Sequence, residues 1–269
     1  MPELPEVQTI VSSLSVRLTG LTILQVDLRR ADILQPDGTD LPSHLRGRRI
    51  NAITRRAKRI VFRLDNHHQF YIHLGMTGRL TAESPAGVIA PHTHLILTLS
   101  DGLQMRFRDP RRFGGIWWLG LDETSDANIG PEPFDLHSSE LHKRLQKTRR
   151  AIKSALLDQS LIAGLGNIYA DEALYCAGIH PLTPANTLDH AQTAKLCRCI
   201  KSTLNQALKH KGSTLRDYRD SDGSAGGFQK LHRVYDRAGK PCAKCRTPIV
   251  RIVISGRSAH FCPNCQRTK

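Results

Sequence analysis

The pattern of apolar and polar residues changes near the middle of the chain. Apolar residues recur at helical spacing from Val7 to Leu18, behind a first-turn proline at Pro5, and predict an opening amphipathic helix. From about residue 21 to 119, short segments alternate or run apolar between turn sequences. These segments are "TILQVDLRR", "IVFRL", "QFYIHLGM", "HLILTLS", "LQMRFR" and "GIWWLG". They predict an antiparallel sandwich or barrel-like domain.

After "GPEPF" at 130–134 the spacing becomes helical. Three helices are predicted, in "SSELHKRLQKTRRAIKSALLDQ", "GNIYADEALYCAG" and "NTLDHAQTAKLCRCIKSTLNQALKH". Residues 211–230 are polar and rich in glycine, which is typical of a loop. The fold class is therefore α+β with more than one domain.

The charge of the chain indicates its partner. Its 269 residues carry a formal net charge of +15, which favours a polyanion, most often nucleic acid. The competing partner is an anionic membrane. The sequence shows neither a long uncharged apolar run nor a signal segment, so we expect no membrane contact and a cytoplasmic protein.

Four of the seven cysteines lie near the end of the chain in two C-x2-C pairs. Cys242 and Cys245 form the first pair, and Cys262 and Cys265 form the second after 16 intervening residues. Four thiolates at this spacing suit one structural Zn²⁺ at the base of a zinc-ribbon hairpin. The other three are Cys176, Cys197 and Cys199, and we expect them to be small buried hydrophobic residues.

Basic residues are concentrated in segments that lack acids. Residues 46–63 contain eight Lys or Arg and residues 143–153 contain six. Such runs are usually solvated surfaces, but two of them in a basic protein favour contact with phosphates. Arg257, near the tip of the predicted hairpin, is suited to entering a DNA groove. "GLGNIYADE" lacks the third glycine and the preceding strand of a dinucleotide site, and instead aims Asn167 and backbone N–H groups at a phosphate.

Two predicted turns contain apolar residues, which are unusual in loops exposed to solvent. "HLGMTGRL" carries Met76, and "RFRDPRRFGG" carries Arg111 and Phe113. Burial in a core is the commoner fate of such residues. The alternative is a wedge that fills the gap left by a flipped base while the arginine pairs with the orphaned partner.

Together with "MPELPEV", "RRAK" and the four cysteines, these motifs resemble the formamidopyrimidine-DNA glycosylase family, in order and over essentially the whole chain. The resemblance implies a catalytic β-sandwich domain at 1–130, a helix-two-turns-helix domain at 131–230 and a zinc finger at 231–269. A loop at about 213–228 would cap the lesion. The ligand would be duplex DNA with oxidised purines or abasic sites, bound by a monomer associated with the nucleoid.

The resemblance also implies roles for individual residues. Pro2 would be the nucleophile, Glu3 a general acid/base, and Lys58 and Arg257 the proton donors of β- and δ-elimination. Removal of Met1 leaves Pro2 with a secondary amine whose pKa is near that of other α-amino groups, roughly 8, so a usable fraction is neutral. The DNA contacts would be His92, Arg111, Lys153, Asn167 and Arg149, with Met76, Arg111 and Phe113 filling the void.

Several positions depart from the family pattern. Gln8 stands where a glutamate is expected, and Thr93 stands where an acid is expected. Thr148 replaces an expected phosphate-binding lysine, and Arg149 beside it is the candidate substitute. Gly226 and Gly227 replace a bulkier stretch of the capping loop.

Two alternatives remain open from the sequence. The same chemistry could act on oxidised pyrimidines, as in the sister endonuclease VIII branch, although Leu4 argues against this because that branch is expected to have glycine there. A zinc-ribbon DNA-binding protein without catalysis would also explain the charge and the cysteines.

Overall fold

A computed structural model describes residues 2–121, 128–214 and 223–267. The chain forms two compact units. Met1–Ala127 and His210–Gly227 form the first, and Asn128–Lys209 and Phe228–Lys269 form the second. The segment after the last long helix therefore returns to the first unit. None of the helices among the described residues is long and apolar enough to cross a membrane.

The first unit is built from two β-sheets and an opening helix. Its helices are α1 (Leu4–Leu18) and α2 (Leu41–Leu45). Its strands are β1 (Ile23–Leu28), β2 (Leu34–Gln35), β3 (Ile50–Arg56), β4 (Arg59–Leu64), β5 (His68–His73), β6 (Arg79–Glu83), β7 (Thr93–Leu99), β8 (Gln104–Arg108) and β9 (Gly115–Leu121). One sheet has the order β1-β7-β8-β6, and the other has the order β2-β9-β5-β4-β3.

One hydrophobic core takes side chains from α1 and from both sheets, which confirms the predicted sandwich. Phe62 and Phe70 stack within it, with ring centroids 4.6 Å apart. Adjacent strands pair antiparallel except for β2, which runs parallel to β9. Strand β3 was not predicted, because its basic residues interrupt the apolar pattern and only Ile50 and Ile53 are buried.

The second unit contains four helices and a hairpin among its described residues. They are α3 (Ser138–Leu145), α4 (Ile152–Leu157), α5 (Asn167–Ala177), α6 (His190–Lys209), β10 (Val250–Ile254) and β11 (Arg257–Phe261). The antiparallel β10–β11 pair confirms the predicted hairpin.

The single helix predicted over 138–159 is wrong, because the chain breaks between α3 and α4. Ala151 has a non-helical backbone, with φ −50° and ψ 137°, and forms a β-bridge with Pro184. The Ile152 N–H donates to the Thr183 carbonyl at 2.8 Å, and the Ala185 N–H donates to the Arg150 carbonyl at 2.9 Å. Tertiary pairing with 183–185 replaces the helical hydrogen bonds that would continue α3.

The cysteines of the helical region have different environments. Cys176 is exposed and forms a disulfide with Cys199, which joins α5 to α6 with a Cα–Cα distance of 5.7 Å. Cys197 is free and buried. The expectation of three small buried hydrophobic residues is thus confirmed for Cys197, confirmed for Cys199 in burial but not as a free thiol, and wrong for Cys176.

A buried ionic network joins α4, α5 and β11. The side chains of Lys153 and Asp171 are both fully buried, and Lys153 Nζ lies 2.6 Å from Asp171 Oδ1. Asp171 Oδ2 accepts a hydrogen bond from the His260 N–H at 2.9 Å. The carboxylate thus compensates a buried ammonium and anchors the hairpin.

We expect Asp171→Asn to lower the free energy of unfolding by about 3–5 kcal/mol, because it leaves the buried Lys153 ammonium without a charged partner. Asp158→Asn is the matched control, since its exposed pair with Arg150 is worth less than about 1 kcal/mol. Urea unfolding of both variants measures the difference. Equal losses of stability would contradict a special role for the buried pair.

Candidate active site

The start of α1 is buried and held by the Glu6 carboxylate. Pro2 is buried, and Glu3 and Glu6 are each only 2% exposed. Glu6 Oε2 accepts a hydrogen bond from the Glu3 N–H at 2.8 Å, and Glu6 Oε1 accepts one from the Ser213 N–H at 2.7 Å. The residues that precede the helix are therefore fixed against the segment that returns to the first unit.

Glycine is required where that segment crosses Glu6. Gly212 has φ +77°, and a Cβ there would lie 2.5 Å from Glu6 Oε1. A side chain would displace the carboxylate from the N–H groups that it accepts. The close approach of backbone and carboxylate leaves little freedom at the N-terminal end of α1.

Lys58 lies in the two-residue turn between β3 and β4. Arg56 and Arg59 pair across this turn, and Ala57 adopts a left-handed backbone with φ 53°. Lys58 is only 7% exposed, so most of the residue is buried.

The Gln8 side chain connects α1 to this turn. Arg55 Nε donates to Gln8 Oε1 at 3.0 Å, and Arg55 Nη1 donates to the Ala57 carbonyl, also at 3.0 Å. The amide oxygen of Gln8 thus accepts the hydrogen bond that a glutamate would accept at this position. Side chains of α1 thus bind the Glu3 N–H, through Glu6, and connect to the turn that carries Lys58, through Gln8 and Arg55.

His73, at the end of β5, was not singled out from the sequence. Burial, with the positive charges of Lys58 and Arg59, lowers the pKa of His73 to about 4. Its Nδ1 accepts a hydrogen bond from the Gly75 N–H at 3.2 Å, which leaves Nε2 as the protonated nitrogen of the neutral ring. The sequence signal for this residue is its position at the start of "HLGMTG", the motif that also contains Met76.

Two loops carry the candidate wedge residues. Met76 and Phe113 are 37% and 55% exposed, and the Arg111 guanidinium lies 4.6 Å from the centre of the Phe113 ring. The loops approach so closely that a Cβ at Gly75 would lie 2.4 Å from the Gly114 nitrogen. They are therefore one surface element rather than two independent loops.

The buried Asp109 carboxylate anchors both loops. Its Oδ1 accepts from the Thr77 hydroxyl at 2.6 Å and from the Arg111 N–H at 3.3 Å, and its Oδ2 accepts from the Gly114 N–H at 2.8 Å. Asp109 was part of the quoted motif but had no predicted role. Its position explains how exposed apolar residues are held in a fixed arrangement.

His92 lies beside this anchor. It is exposed and left-handed, with φ 66°, and its carbonyl accepts from the Asp109 N–H at 3.1 Å. The hydroxyl of Thr93, the residue that replaces an expected acid, donates to the Ala90 carbonyl at 2.7 Å. Thr93 therefore closes the turn locally and adds no charge.

The candidate residues of the second unit meet at the hairpin turn. Asn167 begins α5, and its Nδ2 donates to Ser258 Oγ at 3.1 Å. Its Oδ1 is buried without a hydrogen-bond partner in the described part of the chain. Ser255 of the turn lies 3.0 Å from Ser154 between their hydroxyl oxygens. Arg257, the first residue of β11, is exposed next to these contacts.

The two basic candidates from "KTRRAIK" differ in exposure. Arg149 is exposed. Lys153 is fully buried, and its Nζ donates to Asp171 and to the Asn167 carbonyl. This burial does not favour the predicted DNA contact at Lys153, and the ammonium instead holds α5 in place.

The four terminal cysteines form a candidate metal centre. Their sulfur atoms all lie within 4.8 Å of one another, with Cys245 Sγ 3.4 Å from Cys262 Sγ and 3.6 Å from Cys265 Sγ. Zn–S bonds of 2.3 Å in a tetrahedron place sulfur atoms about 3.8 Å apart. The cluster therefore fits one Zn²⁺, with all four coordination positions filled by thiolates.

The predicted capping loop at 213–228 lies partly outside the described residues, which omit 215–222. Its two ends are close together. The Gly226 N–H donates to Thr214 Oγ1 at 2.8 Å, and a Cβ at Gly226 would lie 2.3 Å from the Gly212 carbonyl oxygen. Glycine at 226 therefore has a local reason, which is the narrow neck of this loop.

Three protein-family models match the chain. The formamidopyrimidine-DNA glycosylase N-terminal domain matches residues 1–116, and the H2TH domain of the same enzymes matches residues 129–219. A zinc finger found in FPG and IleRS matches residues 239–268. The third match agrees with the sulfur geometry, and the chain has a site for one structural zinc.

Curated proteins and solved structures match over the full chain. Formamidopyrimidine-DNA glycosylases of Chloroflexus aggregans and Chloroflexus aurantiacus are 46% and 45% identical, covering 99% and 100% of this chain and 98% of each relative. Lactococcus lactis Fpg bound to abasic-site DNA superposes with a TM-score of 0.93 at 33% identity, covering 99% of this chain and 100% of that one. Thermus thermophilus MutM superposes with a TM-score of 0.89 at 38% identity, covering both chains fully. The chain therefore belongs to the formamidopyrimidine-DNA glycosylase family.

Proposed function

We propose that this protein excises oxidised purines, including 8-oxoguanine and formamidopyrimidines, from duplex DNA and then cleaves the abasic strand. It is a bifunctional DNA glycosylase and AP lyase of base excision repair. The observation that carries the proposal is the buried start of α1, where the Glu6 carboxylate accepts hydrogen bonds from the N–H of Glu3, the neighbour of Pro2, and from the N–H of Ser213. We place its action in the cytoplasm, on nucleoid DNA.

Pro2 supplies the nucleophile once Met1 has been removed. Its neutral secondary amine attacks C1′ of the damaged nucleotide, the N-glycosidic bond breaks, and the base leaves with its bonding electron pair. Opening of the sugar and loss of the amine proton yield an iminium linkage between Pro2 and C1′. Glu3, beside Pro2, transfers the protons of these steps, which water would move more slowly.

The iminium then directs strand cleavage. It acidifies the C2′ protons, so loss of one of them expels the 3′ phosphate by β-elimination, and a second elimination expels the 5′ phosphate. We assign Lys58 as proton donor of the first elimination and Arg257 as proton donor of the second. Zinc takes no part in these steps, because four thiolates fill its coordination positions.

The DNA contacts follow from the exposed residues. Met76 and Phe113 fill the gap left by the flipped base, and Arg111 pairs with the orphaned base opposite. His92, Arg149 and Asn167 bind phosphates. The Lys153 ammonium donates a hydrogen bond to the Asn167 carbonyl, and we assign it the positioning of Asn167 rather than a direct DNA contact.

Two solved relatives favour purines over oxidised pyrimidines. A Lactococcus lactis Fpg variant was crystallised with Fapy-dG DNA, and a MutM structure contains carbocyclic 8-oxo-G DNA. We propose that the chain has three functional domains: a catalytic domain at 1–130, a helix-two-turns-helix domain at 131–230 with its capping loop at 213–228, and a zinc finger at 231–269. The family-model matches support this division.

Borohydride trapping tests the proposed nucleophile. On a duplex with 8-oxoguanine opposite cytosine, we expect a covalent adduct that mass spectrometry maps to the Pro2 peptide. Glu3→Gln should slow base excision by about 10²–10⁴-fold, as expected for loss of a general acid/base. Pro5→Ala, which changes the other proline of the same helix start, should retain trapping.

Each alternative has its own outcome in this assay. An adduct on another peptide would contradict the assignment of Pro2 as the nucleophile. Faster release of thymine glycol than of 8-oxoguanine favours the pyrimidine branch. Duplex binding without any adduct favours a binding protein without catalysis.

Asp109→Ala should impair base excision more than cleavage of a preformed abasic site. The substitution removes the common acceptor of both wedge loops, and no base needs to be expelled at an abasic site. We expect excision to fall at least tenfold, because each of the lost hydrogen bonds to this charged group contributes about 1.5 kcal/mol or more. Single-turnover rates on the two substrates measure this. Asp101→Ala is the control: it removes a turn carboxylate that accepts from the Leu103 N–H, and it should leave both rates unchanged. Equal slowing of both reactions by Asp109→Ala would contradict the wedge role.

Zinc content gives a further test. We expect one equivalent of Zn²⁺ per chain, lost in Cys262→Ser together with most of the affinity for duplex DNA, because the metal replaces a core in the hairpin. Cys197→Ser is the control, since this thiol is free and buried elsewhere. Full duplex affinity in a Cys262→Ser protein shown to lack zinc would rule out a role for the metal in shaping the DNA-binding hairpin.

A further inference from the structure

Two arginines face each other on the outer side of the four-stranded sheet. Arg79 of β6 pairs directly with Arg108 of β8, and Arg108 also pairs with Thr93 of β7. Their neighbours Leu80 and Phe107 point into the core, so the arginines point outward. Like charges directly opposite each other destabilise a sheet, which suggests that the pair is retained for a ligand.

The arginines line a small concavity of about 150 Å³. Its lining residues are Arg79, Thr81, Glu83, Ala90, Thr93, Arg106 and Arg108. The concavity is large enough for one phosphodiester group. The concavity lies wholly within the first unit.

The charge of the concavity is positive once the internal pairing is taken into account. Arg106 is 3% exposed, and its Nη1 lies 3.0 Å from Glu83 Oε2, so these two charges compensate each other. Arg108 Nε donates to the Pro91 carbonyl at 2.8 Å, which orients the guanidinium and leaves its terminal nitrogens available. The Arg79 side chain makes neither a hydrogen bond nor an ion pair with any residue that the structure describes. The fixed fork of an arginine suits a phosphate, which accepts two hydrogen bonds at once.

The position of the concavity connects it to the wedge. Arg79 follows Met76 by three residues, Arg108 precedes Arg111 by three, and Thr93 follows His92 directly. Three residues of chain span at most about 10 Å. Successive phosphates of one DNA strand are separated by about 3.4 Å along the helix axis. The concavity therefore lies within about three nucleotides of a gap filled by Met76 and Phe113.

We propose that Arg79 and Arg108 form an additional phosphate site for duplex DNA, which holds one phosphodiester within about three nucleotides of the flipped base. This inference rests on the proposed function, since its ligand is the lesion duplex. The site fixes the duplex relative to the wedge loops, because the arginines and the loops lie on the same two strands. The relief of repulsion between the arginines adds to the binding of the phosphate.

The salt dependence of binding tests the site. Affinity for a duplex with an uncleavable abasic analogue is measured over a range of salt concentrations for the unsubstituted protein and for the double variant Arg79→Ala/Arg108→Ala. One lost phosphate contact should reduce the slope of log K against log salt by about 0.9. The double variant Arg79→Lys/Arg108→Lys should retain most of this slope. Arg198 is an exposed arginine on α6, and the control variant Arg198→Ala should show the same slope as the unsubstituted protein. An unchanged slope in the double alanine variant overturns the proposal.

Methylphosphonate substitution locates the phosphate. Each phosphate within five nucleotides of the lesion is neutralised in turn on either strand. We expect one position, within about three nucleotides, where neutralisation weakens binding of the unsubstituted protein but not of the double alanine variant. The same sensitivity profile for both proteins would also overturn the proposal.

Two further measurements separate this proposal from the others. The double alanine variant should unfold at a urea concentration close to that of the unsubstituted protein, because removal of a like-charge pair offsets loss of the Arg108–Pro91 hydrogen bond. At saturating protein it should still give the full yield of borohydride adduct. Loss of that adduct in the variant would place the arginines in the chemistry and overturn a pure binding role, whereas absence of the adduct in the unsubstituted protein contradicts the glycosylase function itself.

Discussion

Hydrogen bonds from backbone N–H groups to the buried Glu6 carboxylate determine where the first residues of the chain lie. One oxygen accepts from Glu3 and the other from Ser213. An N-terminal segment would otherwise be poorly ordered, because few contacts hold it. A nucleophile at Pro2 needs a fixed position, since small displacements of a reacting group reduce rates strongly. The proposed chemistry therefore depends on an acid that takes no direct part in it.

The same device recurs wherever a functional segment must be held. Asp109 accepts from backbone N–H groups on the arginine-bearing wedge loop and from a hydroxyl on the methionine loop. Asp171 accepts from the His260 N–H, and the neighbouring Glu172 accepts from the N–H groups of three consecutive residues, beginning at Arg233. Burial raises the pKa of Glu172, and those three hydrogen bonds oppose the rise. Carboxylates thus fix backbone segments of a basic protein from inside, while the surface charge remains positive for DNA.

The sequence predicted the features that depend on local spacing. Period-two alternation located most strands of the sandwich, and the spacing of the four terminal cysteines located the metal centre before any geometry was known. The break between α3 and α4 could not be predicted this way, because it depends on pairing of 150–152 with 183–185, which are distant in sequence. Lys153 looked like a surface cation for a similar reason, since its partner Asp171 lies on another helix. His73 lies in a quoted motif, but its low pKa comes from burial and from nearby cations rather than from its neighbours along the chain.

The departures at Gln8 and Thr93 show which property each position needs. Gln8 is neutral but presents an oxygen to Arg55, whose guanidinium also holds the Ala57 carbonyl beside Lys58. The position therefore needs an acceptor more than it needs a charge, and a neutral acceptor keeps this link unchanged when carboxylates become protonated. The Thr93 hydroxyl donates its hydrogen bond to the Ala90 carbonyl within the same turn. Thr93 therefore adds no negative charge to the concavity that it lines. An acid there would offset the charge of Arg108 directly across the strand pair.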